Sequence, residues 1–129
     1  MSLAPPLIHI AFMLMRPQLW GALEMLVRAA IGDPDVVPYL ILAEDTSTYE
    51  QHDLSAILRL VADLPIAVHD DTWLRHHLGW FDLAVFHDPY ITQWGERTGL
   101  DLDTFRAAGV QVALSPYALA CTATPHHPL

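Results

Sequence analysis

Apolar positions along the chain fall into short continuous runs that alternate with stripes at helical spacing. Leu7 to Met15 is a near-continuous apolar run of strand length, the pattern of a strand covered on both faces. After Arg16-Pro17, the residues Leu19, Leu23, Leu26, Val27 and Ala30 share one helical face, and Gly32-Asp33-Pro34 supplies the stop. Val36 to Leu42 predicts a second strand. Its Pro38 has no N–H to give to a ladder, which predicts an edge position or an early bulge. Ser47-Thr48-Tyr49-Glu50 has capping-box spacing ahead of a second stripe at Leu54, Ile57, Leu58 and Val61, which ends near Leu64-Pro65.

The second half repeats the alternation. Ile66-Ala67-Val68 predicts a third strand, and Asp70 or Asp71 then caps a brief helix through Trp73, Leu74, His77 and Leu78, closed by Gly79. Leu83-Ala84-Val85-Phe86 predicts a fourth strand and Val110 to Leu114 a fifth. Between them, polar residues and two glycines from Thr92 to Gly99 predict a mobile loop. Asp101 or Asp103 caps a helix through Phe105 to Ala108, with Gly109 past its end. Strands alternating with helices call for right-handed crossovers and a parallel sheet. The fold class is therefore α/β: a Rossmann-like three-layer sandwich with a five-stranded, mainly parallel sheet over residues 1–118. Residues 119–129 carry no apolar period and two prolines, and read as an irregular C-terminal tail.

A chain of 129 residues is sized for one such domain. Six Arg against fifteen Asp and Glu leave a net charge of -9, so the footprint for nucleic acid or an anionic membrane is missing. There is no Lys, which excludes a Schiff-base lysine, a phosphate-loop lysine and the lysine of a receiver domain. A lone Cys121 fits a reducing compartment, and the opening residues lack the basic region of a signal peptide. The expectation is a cytoplasmic protein with no transmembrane segment, because Pro, Asp and His interrupt the apolar runs too often for a span.

In an open parallel sheet, ligands bind beyond the carboxyl ends of the strands, where strand order reverses. The segments there are Arg16-Pro17-Gln18, Glu44-Asp45-Thr46, His69-Asp70-Asp71, His87-Asp88-Pro89-Tyr90 and Ser115-Pro116-Tyr117. Two of them share a Pro-Tyr pair. Proline holds the preceding residue extended, so each pair would aim a tyrosine from the rim. Arg16, Asp88, Tyr90, Ser115 and Tyr117 are accordingly the candidate substrate-binding residues, with Arg16 able to meet an anion at the first helix N-terminus.

Other chemistry is weaker. His69, Asp70, Asp71 and His76 hold enough imidazole and carboxylate for a divalent metal but match no ligand spacing, so no metal is assigned. No Gly-x-Gly-x-x-Gly follows the first strand, and Gly-x-Ser-x-Gly is absent, which disfavours dinucleotides and a hydrolase nucleophile; no cofactor is expected. His9 reads as a satisfied strand histidine, and His87 points away from Asp88 on an extended chain. Of the four tryptophans, Trp20 and Trp94 lie just past strand exits and are candidates for a ligand groove or a partner surface.

Three segments carry a family resemblance: Ile8-His9-Ile10-Ala11-Phe12 leading to Trp20 and a helix; Phe81 to Tyr90; and Ala108 to Ala118. In order and spacing they resemble the N-terminal half of the CDP-glycerol glycerophosphotransferase family, two-domain enzymes similar to the GT-B glycosyltransferases. His87-Asp88 and Leu114-Ser115 depart from that family's usual aromatic or aliphatic residues, and Ala118 from its common glycine. The family's catalytic histidine motif and CDP-binding domain lie beyond the last residue here. The resemblance thus implies an acceptor-side half, not catalytic alone, facing a polyol-phosphate or glycan acceptor and a second Rossmann-like domain. The alternative is a free-standing, non-catalytic α/β domain that binds or pairs as a homodimer.

Overall fold

A computed structural model describes residues 6–14, 20–42, 55, 56, 58–88, 95 and 98–116, with His87, Asp88 and Pro116 described by backbone alone. Five strands, β1 (Ile8–Leu14), β2 (Val36–Leu42), β3 (Ala67–Asp70), β4 (Leu83–Asp88) and β5 (Gln111–Pro116), form one sheet in the order β3-β2-β1-β4-β5. Every pairing is parallel, so the expected mainly parallel sheet is wholly so. The apolar centre of the sheet explains why: Ala11 to Leu14, Leu40 to Leu42 and Ala84 to Phe86 are all buried, as strands sandwiched between two helical layers must be.

Helix α1 (Trp20–Ile31) buries Trp20, Leu23, Val27 and Ala30 and lies on one face, as a right-handed crossover from β1 to β2 requires. Residues 55, 56 and 58–61 are helical in the next crossover and bury Val61. Helices α2 (Asp71–Arg75) and α3 (Leu102–Ala107) cover the other face. Phe105 of α3 meets Phe86 of β4 edge-on at 5.4 Å between ring centroids, and both rings are fully buried. No helix among the described residues is long and apolar enough to cross a membrane.

Both predicted cap pairs resolve to their first member. Asp70 accepts from Trp73 N–H at 2.8 Å, and Asp101 from Thr104 N–H at 2.9 Å and its hydroxyl at 2.7 Å. Gly109 follows α3 at φ 81°, in the left-handed region glycine tolerates.

Three local expectations are corrected. Strand β2 is interior, not at the edge, yet Pro38 costs no ladder bond. Ile8 N–H donates to Asp35 O at 2.8 Å, so alternation in the parallel ladder turns Pro38 away from β1. Pairing with β3 starts one residue later, at Tyr39 and Ala67. Second, Gly79 does not end a helix: α2 stops at Arg75, and Gly79 sits inside a 3-10 turn, Leu78–Trp80. Third, within the polar stretch from Thr92 to Gly99, the described residues Gly95 and Thr98 are helical, and Gly99 N–H donates to Gly95 O at 2.9 Å. A Cβ on Gly95 would lie 3.2 Å from that of Asp101, so the glycine that reads as a loop signal instead permits a close packing contact.

Candidate functional site

Strand order reverses between β1 and β4, so the switch point of this sheet lies beyond Leu14 and Asp88. Beside it, β4 and β5 run in register, with His87 opposite Ser115 and Asp88 opposite Pro116. The strands that precede the two Pro-Tyr pairs in sequence are therefore neighbours. Ser115 is buried at 8% exposure at the end of β5. Arg16, Tyr90, Trp94 and Tyr117 lie outside the described residues, as do Glu44-Asp45-Thr46 and Cys121. Trp20 is buried against the sheet at 7% exposure and does not present a groove or partner surface.

A second constellation, which periodicity did not reveal, builds up across β1, β2 and β3. The register places His9 beside Val37, Tyr39 beside Ala11 and Ala67, and His69 beside Ile41, so His9, Tyr39 and His69 project from one face. Asp70 ends β3 and caps α2, which folds Trp73 back over that face. The indole stacks on His69 with centroids 3.7 Å apart and planes 7° from parallel, and on its other side His77 stacks at 4.2 Å and 11°. Tyr39 stacks on Trp73 at 5.9 Å and on His9 at 5.9 Å, while Phe81 meets Tyr39 edge-on at 5.0 Å. Trp80 stands edge-on to both Trp73 and His77 and is 57% exposed.

Hydrogen bonds orient this stack. His77 Nδ1 is 2.6 Å from Trp73 O; a carbonyl can only accept, so Nδ1 carries the proton and donates. In the neutral ring that leaves Nε2 as the acceptor. Tyr39 Oη and His9 Nδ1 are 3.4 Å apart. His9 N–H donates to Asp82 Oδ2 and Asp82 N–H to His9 O, both at 2.9 Å, while Gln111 N–H reaches Asp82 O at 3.1 Å, so Asp82 ties the entries of β1, β4 and β5. Arg75 donates to Thr98 O, fixing the end of α2.

The electrostatics favour the neutral form of His69. Partial burial lowers the His69 pKa, the neighbouring His77 lowers it further, and Asp70 opposes both. Two imidazoles against one indole form a continuous aromatic surface. Among the described residues no three His, Cys, Asp or Glu side chains gather to hold an ion, and Asp70 is committed to its cap. His69 and His77 were legible as imidazoles near a helix start; what was missing was the four-residue step 69, 73, 77 that only a strand-to-helix junction turns into a stack.

The chain matches no protein-family model, no curated protein and no solved structure.

Proposed function

We propose that the chain is the acceptor-side half of a glycerophosphotransferase-like or glycosyltransferase-like protein, holding a polyol-phosphate or glycan acceptor at the carboxyl ends of β1, β4 and β5 and not catalytic alone. The observation that supports this reading is the register pairing Asp88 with Pro116: the two strands that precede the Pro-Tyr pairs in sequence are neighbours in the sheet, next to the switch point. Arg16, Asp88, Tyr90, Ser115 and Tyr117 are the binding residues on this reading. Arg16 supplies the positive charge for the acceptor phosphate on a chain whose net charge of -9 otherwise repels it. Tyr90 and Tyr117 supply hydroxyls and ring faces for the polyol.

The test is titration of the full chain with glycerol 3-phosphate and with a short poly(glycerol phosphate), followed by amide NMR. Shifts confined to Leu14, Asp88 and Ser115 and their neighbours are expected, weakened at least about tenfold by Arg16→Gln and by raised salt. Absence of shifts at millimolar ligand rejects the reading. The second reading, a non-catalytic binding or dimerisation domain, is favoured by one feature: among the described residues β5 is an edge strand, and it carries a half-exposed Leu114.

A further inference from the structure

Strand β5 has β4 on one side and no strand on the other among the described residues. Gln111 N–H donates inward to Asp82 O. In a parallel ladder the N–H and C=O of one residue point to the same side and alternate along the strand. Gln111, Ala113 and Ser115 therefore face β4, whereas Val112 and Leu114 turn their N–H and C=O groups outward. The register with Ala84 and Phe86 sets the side chains of Val112 and Leu114 on the face that α3 covers.

Between α3 and this edge runs an open groove of about 640 Å3, walled by Leu102 and Arg106, one helical turn apart, and by Val110, Val112 and Leu114 at alternate positions. The residues whose backbone groups face away from β4 are thus the ones whose side chains line the groove. Leu114 is half exposed. Arg106 is exposed and makes no ion pair among the described residues, in contrast to Arg28, which is bound to Glu24 at 2.8 Å. Lysines, the common guard of exposed edges, are absent from the chain.

We infer that this groove binds an extended peptide segment of a partner protein by strand addition, with apolar side chains at alternate positions and a carboxylate set against Arg106. Backbone pairing to Val112 and Leu114 supplies the general affinity. The alternating pockets and the guanidinium supply the selection. A positive groove on an acidic chain favours an acidic peptide over a second copy of the chain, whose own net charge of -9 opposes association.

The probe is a fluorescent heptapeptide of alternating valine and threonine with a glutamate near its end, read by anisotropy and by hydrogen exchange at Val112 and Leu114. Saturable binding with slowed exchange at those two amides is expected. N-methylation of alternate peptide amides should abolish it. Arg106→Gln should weaken it about tenfold while leaving the binding of a glutamine-containing peptide unchanged. Any of three results overturns the proposal: no binding at millimolar peptide, binding indifferent to N-methylation, or amides at Val112 and Leu114 already protected without peptide. In the last case, protection that persists on dilution assigns the edge to the chain itself, and protection that grows with protein concentration assigns it to a second copy.

Discussion

The two ends of the sheet are finished in opposite ways. Strand β3 is four residues long, and its last residue caps the helix that folds back over it, so Trp73 and the flanking imidazoles cover Tyr39 and the neighbouring strand face. Strand β5 is six residues long, ends at Pro116, and has two residues whose backbone groups turn away from β4 beside a groove. Edges are ordinarily blunted by shortness, by cover or by charge. Among the described residues the β3 end uses shortness and an aromatic stack on its face, whereas the longer β5 carries a terminal proline and a groove beside it. Side chains at the β3 end are therefore engaged with one another, and those at the β5 end are available to a partner.

Truncating one side chain at each end breaks the comparison most directly. Trp73→Ala removes stacks to His69, His77 and Tyr39 and the edge contact of Phe81, and should cost about 3 kcal/mol of unfolding free energy in urea, the low end for a large aromatic because the indole is partly exposed. Leu114→Ala, half exposed in the groove, should cost about 1 kcal/mol or less. Equal losses would mean that the β5 end is as firmly packed as the other. An effect of similar size sharpens the cause: Asp70→Ala deletes the cap that turns β3 into α2 and should cost about 1 kcal/mol, with the near-ultraviolet circular dichroism of the tryptophans reduced. An unchanged aromatic signal would show that the stack holds α2 in place, and not the cap.

Most of the fold was legible because its signals are local. The near-continuous apolar run from Leu7 to Met15 and the stripe from Leu23 to Ala30 specify a buried strand and a one-faced helix, whatever surrounds them. Asp70 and Asp101 announce helix starts through the hydrogen bonds their side chains make within three residues. What was not legible is where strands lie beside one another. Pro38 suggested an edge strand, whereas its backbone lies one step before β3 begins to pair. Trp20 looked like a surface tryptophan past a strand exit and proved to be core. Of the proposed binding residues, the structure speaks to Ser115, which is buried at the end of β5, and to the backbone of Asp88. The aromatic stack was hidden for the same reason as the strand order: His9, Tyr39 and Trp73 come from three elements, β1, β2 and α2, and no spacing along the chain encodes their meeting.

The smallest effect concerns the charge state of the stack. His69 titrates below the ordinary imidazole value of about 6.5, first because partial burial penalises its charged form and then because His77 lies on the far side of the same indole. The unfolded chain therefore binds the proton more readily than the folded one. Stability contributed by neutral His69 is complete above the unfolded value and is lost as pH falls through the lower, folded value. Thermal melts between pH 8 and pH 5 should show a declining midpoint on acidification, with a shallower decline in His69→Gln. Asp70, at the end of the same strand, favours the protonated ring, so Asp70→Asn should steepen the decline where His69→Gln flattens it. Leu114→Ala, at the other end of the sheet, should leave the slope unchanged. If His69→Gln follows the parent slope throughout, the acid sensitivity originates away from the stack, and the β3 end is set apart by its packing alone.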